Sequence, residues 1–193
     1  VIYGNLAIKE LLQSGKIGIE PFNPEQLQGV SYDLRLDKYF IVPINVTGYP
    51  FNPLFNAFNP NKFMVEEFRL QPKQRVLAST IEKIGSKSLD ITTKIFSKSS
   101  WARHGLEVCS CAGYGDPGYM NHWTLEVFNK NEYPVLLQKG MVIAQISFEQ
   151  VEGCSNLYSS KYNNDGKDKV FTDEERFEMM LPKKIKIIQE AMK

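Results

Sequence analysis

Between Ile95 and Asn129 the chain gathers most of the side chains that could do chemistry. Lys98, Ser99, Ser100 and Arg103 fall close together, and Asp116 and Glu126 follow. Hydroxyls and backbone N–H groups at the start of a helical turn favour anions, and an arginine fork adds charge, so "SKSSWAR" could cradle a phosphate or a polar substrate. Read blandly, the same residues are a capping serine and a solvated arginine. Glu126 lies in "WTLEV". In a strand it shares a face with Thr124 and Phe128, while Trp123, Leu125 and Val127 take the other. That is the pattern of an ordinary polar face, and equally of a partly buried carboxylate with a raised pKa, fit for general acid–base work. Asp116 opens an Asp-Pro-Gly turn, and a turn aspartate beside a pocket can hold a sugar hydroxyl or a water.

Other chemistries are poorly supported. Cys109, Cys111 and Cys154 are an odd set with no leader before them, which reads as reduced thiols of a cytoplasmic protein. A zinc site would need two further ligands at defined spacing, and His104 and His122 make no paired motif with the cysteines. "GSKS" at Gly85–Ser88 lacks the GxxxxGK spacing of a phosphate-binding loop. The zinc deaminase pattern, HxE followed by PCxxC, is also absent.

These side chains need a scaffold, and the surrounding sequence predicts a β-rich one. "SYDLRL", "KYFIVPI", "RVLAST", "LDITTKIFS", "LEVCSC", "HWTLEVF", "YPVLL" and "MVIAQISFEQV" are short runs rich in β-branched or aromatic residues, separated by turn signals such as Lys139-Gly140. Such spacing suggests a sandwich, jelly roll or barrel. Asn5 is placed to cap a short helix with Ile8, Leu11 and Leu12 on one face, and "SSWARHG" reads as a helical turn ending at Gly105. Asn45–Asn61, rich in Asn, Pro and Phe, reads as a long loop. The polar stretch Ser159–Lys169 reads as a connector. Thr172 to Glu175 is a capping-box pattern that opens a helix, Pro182 interrupts it, and Ile185, Ile188 and Met192 recur at helical spacing. One β domain over residues 1–166 with a helical extension over 167–193 is the expected organisation.

Composition narrows the function. With 193 residues and 42% hydrophobic content the chain suits a single domain with a sizeable core. A net charge of +1 argues against a general nucleic-acid or membrane-surface binder, and no apolar run of about twenty residues offers a membrane span.

Taken together, "SKSSWARHGLEV", "AGYGDPGYMNHWTLEVFN" and "PVLLQKGMVIAQISFEQV" closely resemble the dCTP deaminase family within the trimeric dUTPase-like superfamily. "ELLQSGKIGIEPFNPEQLQGVSYDLRL" resembles that family's N-terminal region, and "SKYNNDG" sits where the family has its SKY segment. The resemblance runs from about Leu6 to Gly166. It implies a distorted β-barrel or jelly-roll subunit of the dUTPase-like type, assembled as a homotrimer with active sites between subunits. It also implies zinc-independent hydrolysis of dCTP to dUTP and ammonia, with Mg²⁺ on the triphosphate. By resemblance Ser99 helps place the attacking water, Arg103 orients the reacting centre, the Ala112 carbonyl holds the water, and Glu126 moves its proton. Lys98 and Ser100 match phosphate contacts, Asp116 lies near the deoxyribose, and Tyr158, Lys161 and Tyr162 match groups that close over the nucleotide. Asp116 and Glu126 are ten apart, as in the deaminases and unlike the dUTPases.

The sequence departs from that pattern at Cys111, where a threonine is usual, at Gly115, where a bulky residue commonly stands, at Tyr114 and in "NNDG". These positions bear on base and sugar selectivity, on feedback by dTTP and on closure. The pair Ala112-Gly113 is similar to bifunctional members that continue through dUTP to dUMP. A dCMP or modified-cytosine deaminase, and a nucleotide-binding regulator without turnover, are the further readings.

Overall fold

The computed structural model describes residues 1–43, 60–109, 112–162 and 170–183. In chain order the elements are helix α1 (Asn5–Gln13), strand β1 (Ile17–Glu20), a 3-10 turn (Pro24–Gln26), β2 (Tyr32–Pro43), β3 (Pro60–Met64), β4 (Glu67–Leu70), β5 (Arg75–Ser86) and β6 (Ile91–Ser97). Then come α2 (Ser99–Arg103), β7 (Leu106–Val108), β8 (Tyr114–Gly115), β9 (Met120–Asn129), β10 (Val135–Gln138), β11 (Val142–Gln150) and α3 (Asp173–Met180).

Alternating apolar residues give most of these strands one buried face, and they pair antiparallel into one large sheet. Its order is β7-β9-β5-β2-β11-β6-β8, with β1 added to β5 and β3 to β2, while β10 and β4 form a separate ribbon. Register shifts within the β2–β5, β5–β9 and β2–β11 pairs let the sheet bend. The architecture is mainly β and curled, as expected. Tyr32, Leu34, Phe40, Val76, Leu125, Val127, Ile146 and Phe148 fill the concave side, each contributing roughly 1.5–3 kcal/mol by its burial. α1 closes one end through Ile8, Leu11 and Leu12. A smaller cluster of Tyr39, Ile41, Phe177 and Met180 lies where α3 docks onto the sheet.

Several local expectations change. Asn5 is the first helical residue and not the cap; the Gly4 carbonyl already accepts the first helical bond, from Ile8 N–H at 2.9 Å, and the Asn5 N–H donates to the Gly29 carbonyl at 2.9 Å. The segments "SYDLRL" and "KYFIVPI" form one continuous strand, β2. β5 runs on past Thr80 because β1, which the sequence reading did not identify, pairs with its second half, Ile17 opposite Ser86 and Glu20 opposite Lys83. In "LEVCSC", among the described residues, Leu106–Val108 is strand. Cys109 adopts φ 57°, outside the strand region. The capping box at Thr172 is present in both directions. Cys111, most of the Asn45–Asn61 loop, most of the Ser159–Lys169 connector, and Ile185, Ile188 and Met192 lie outside the described residues.

Candidate active site

The site is built where β5 and β9 pair, with Leu77 opposite Glu126 and Arg75 opposite Phe128. Trp123, Leu125 and Val127 are buried, whereas Thr124, Glu126 and Phe128 are half-buried on the other face, as the alternation predicts. On that face lies a cavity of about 420 Å³. Arg75, Leu77, Ala112, Gly115, Asp116, Tyr119, Thr124 and Glu126 line it, together with Tyr158, Tyr162 and, from the C-terminal helix, Met179, Met180 and Pro182. Five candidate site residues therefore converge, Ala112, Asp116, Glu126, Tyr158 and Tyr162, and the departure positions Tyr114 and Gly115 border the same cavity.

Glu126 is the chemical centre of this cavity. Its Oε2 is buried and has no hydrogen-bond partner among the described residues. Burial raises its carboxyl pKa, and the charge of Arg75 opposes that shift. Leu125 and Val127 point to the core, and the apolar walls of the cavity include Leu77, Tyr119, Trp123, Met179 and Met180.

Short-range bonds place the other lining residues. Ala112 N–H donates to the Cys109 carbonyl at 3.2 Å, and the next carbonyl, of Gly113, accepts from Ile95 N–H at 2.8 Å. A Cβ on Gly113 would lie 2.6 Å from the Ile95 oxygen, so only glycine lets the two backbones approach this closely. Asp116 begins a turn closed by Tyr119 N–H to its carbonyl at 2.9 Å, and Tyr158 N–H donates to the Pro117 carbonyl at 2.7 Å. That last bond brings Tyr158 edge-on to Tyr119, with ring centroids 5.5 Å apart. Tyr162 is tied down twice. Its carbonyl accepts from Asn121 at 2.9 Å and its hydroxyl donates to the Leu181 carbonyl at 3.0 Å.

Gly115 does not open extra space. A Cβ there would lie 2.4 Å from Thr93 Oγ1 and 2.6 Å from the Trp123 indole. The indole occupies the volume that a larger residue 115 would need, and its Nε1 donates to the Ile84 carbonyl at 3.0 Å.

The other candidates lie elsewhere. Ser99, Ser100 and Arg103 are exposed on α2. Lys98 precedes that helix without a side-chain cap, and no serine caps it. Trp101 anchors α2 through Nε1 to the Val142 carbonyl at 2.7 Å. Ser100 borders a different cavity, with Trp101, His104 and Tyr133–Val135. Lys98 donates to Asp33 Oδ1 at 2.7 Å. Lys161 donates to the Leu181 carbonyl at 3.1 Å and does not line the Glu126 cavity. Arg75, Leu77, Tyr119, Met179, Met180 and Asp33 were not singled out in the sequence. Strand register brings the first two to Glu126, and no local motif encodes it.

Among the described residues, no three His, Cys, Asp or Glu side chains converge as metal ligands. Cys109 is buried, and burial pushes its thiol up to about 12. None of the helices among the described residues is long and apolar enough to cross a membrane.

The model of the dCTP deaminase-like family matches residues 2–151. A protein from Acidothermus cellulolyticus named "dCTP deaminase, dUMP-forming" is 38% identical over 165 residues, covering 80% of this chain and 86% of its own. Proteins of the same name from Thermobifida fusca and Methanospirillum hungatei are each 35% identical, covering 80% of this chain and 81% and 84% of theirs. The crystal structure of 2′-deoxycytidine 5′-triphosphate deaminase from Agrobacterium tumefaciens superimposes with a TM-score of 0.58 at 20% identity. The match covers 76% of this chain and 47% of that longer one, and it speaks to the fold. The chain belongs to the dCTP deaminase-like family.

Proposed function

We propose that this protein hydrolyses the 4-amino group of dCTP, with Glu126 as the proton carrier. The observation that carries this reading is the half-buried Glu126 carboxyl, its Oε2 unpartnered among the described residues, in one cavity with Ala112 and Asp116. Water is a weak nucleophile and needs a positioned base. In this mechanism Glu126 takes a proton from water as the oxygen bonds to C4 of the pyrimidine, and the Ala112 carbonyl orients that water. The tetrahedral centre collapses as the C4–N bond breaks, and Glu126 returns the proton to the departing ammonia. A carboxyl with a raised pKa accepts and releases that proton more evenly than an exposed one. Asp116 and the Tyr119 ring would hold the deoxyribose, and Tyr158 and Tyr162 would cover it.

Ser99 and Arg103 would orient the water and the reacting centre, and Lys98 and Ser100 would contact phosphates. On one chain α2 does not reach the Glu126 cavity. A homotrimer whose sites lie between subunits would supply α2 from a second copy. Magnesium would come with the triphosphate, and Lys98 and Ser100 would hold it indirectly through the phosphates they contact. When bound, it would neutralise phosphate charge. No zinc enters this mechanism, and the expected setting is the cytoplasm.

Release of dUTP is the simplest outcome. The relatives named dUMP-forming favour a second reading, in which the nucleotide continues to dUMP and pyrophosphate. Incubation of the purified protein with dCTP and Mg²⁺ under zinc chelation, followed by chromatography, separates the two. Ammonia with dUTP supports deamination alone, and direct appearance of dUMP and pyrophosphate supports the bifunctional enzyme. Unchanged dCTP overturns both and points to dCMP, to modified cytosine nucleotides, or to a dCTP- or dTTP-binding regulator. Glu126→Gln should lower ammonia release by about 10²–10⁴-fold.

A further inference from the structure

The family-matched span ends at Val151, yet Met179, Met180 and Pro182 line the Glu126 cavity. They are held there firmly. Arg176, only 7% exposed, donates to Asp37 Oδ2 at 2.6 Å, Ser79 Oγ at 2.9 Å and the Thr80 carbonyl at 3.2 Å. Asp173 accepts from the Tyr39 hydroxyl at 2.5 Å at the start of α3, and the Leu181 carbonyl is held by Tyr162 and Lys161 at its end. Phe177 and Met180 pack on Tyr39 and Ile41 between these anchors. A helix bonded at both ends and along one face is part of the fold.

We propose that α3 is a working wall of the Glu126 site: Met179 and Met180 keep water from the carboxyl and bound the space that the reacting pyrimidine enters. The proposal rests on the reading of Glu126 as the base, and it makes the two methionines positioning residues. The titratable groups that face or flank Glu126 are Arg75 from β5, Tyr114 from β8, Asp116 after it, Tyr119 before β9, Tyr158 and Tyr162 from the segment after β11, and the Cys109 thiol after β7. Arg75 is the one cation among the described residues lining the cavity, and it favours the ionised carboxylate. What favours the protonated acid is exclusion of water, and α3 supplies much of the apolar surface that achieves it.

Met179 is half-buried, unlike Met180, so it tolerates exchange better. The test uses the full-length chain labelled with ¹³C at the glutamate carboxyl, with the Glu126 signal identified by its loss in Glu126→Gln. Met179→Lys should lower the Glu126 titration midpoint and Met179→Glu should raise it, each by about half a unit or more, as expected for a unit charge across a partly solvated cavity. Met179→Gln, which admits water without charge, should lower it, and urea unfolding checks that each variant is folded. Midpoints that coincide with the parent in all folded variants would overturn the proposal. The acidic limb of the deamination rate, measured in parallel, should follow the midpoint. A midpoint that moves while the limb stays leaves the wall in place and refutes Glu126 as the base.

Discussion

Removing the Arg176 guanidinium tests whether α3 is locked by a buried charge pair. In Arg176→Met the Asp37 carboxylate, whose side chain is 13% exposed, loses its ionic partner, and Ser79 Oγ and the Thr80 carbonyl lose a charged donor. Breaking one side of a buried pair costs about 3–5 kcal/mol when the structure cannot relax. This structure has an escape, because α3 can lift away and let Asp37 hydrate. Lifting forfeits the burial of Phe177 and Met180, about 1.5–3 kcal/mol each, and returns chain entropy. The two costs are similar, so the variant should populate an undocked α3 while the sheet stays folded. The Lys62 pairs with Glu174 and Glu178 are solvent-exposed on the carboxylate side and cannot compensate by much. Hydrogen exchange should show lost protection at Phe177–Met180, with the amides of β5 and β9 unchanged. In urea unfolding, Asp37→Asn should relieve part of the loss when added to Arg176→Met, giving a coupling of about 1–2 kcal/mol. Additivity within about 0.5 kcal/mol, or full α3 protection in a variant as stable as the parent, would refute the lock.

Other expectations follow from the same geometry. Burial and the nearby Arg176 and Lys83 charges push the His122 pKa down to about 4, against about 6.5 in an unfolded chain. The unfolded state therefore binds more protons between these values, and stability should fall as pH drops from about 6.5 to 4, by on the order of 3 kcal/mol at most. His122→Gln should flatten that slope in denaturant titrations. Glu126 has the opposite sign, since its raised pKa makes folding gain stability as pH falls through the folded value. Glu126→Gln should consequently raise the melting temperature at neutral pH while losing deamination, and a lower melting temperature would show that the carboxylate is satisfied in solution. Gly115→Ala should destabilise the protein through its clash with Thr93 and the indole, and Trp123→Val in the same chain should restore part of the loss.

The fold was legible where local pattern decides it. Alternation in "HWTLEVF" put Trp123, Leu125 and Val127 inside, and the Thr172–Glu175 pattern gave a capping box. It failed where a distant partner decides. β1 is only Ile17–Glu20, and it is a strand because the far half of β5 is there to pair with it. Cys109 sits in a run of strand-forming residues, yet it turns at φ 57°, while its N–H still donates to the Glu126 carbonyl at 3.0 Å.

The site shows the same division more sharply. Resemblance could name Ala112, Asp116 and Glu126, because their spacing along the chain is local. It could not say what makes Glu126 unusual, since that depends on Leu77 across a strand pair and Met179 and Met180 from a helix more than fifty residues later. Gly115 makes the point in reverse. Read in sequence, it is a position where a bulky residue commonly stands and which bears on selectivity. In the structure the Trp123 indole and Thr93 fill the space that a side chain there would take, so the glycine does not enlarge the cavity. A single position read in isolation is therefore an unreliable guide to the size of the pocket. Around that position the cavity is walled by Trp123, Tyr119 and the end of α3 together.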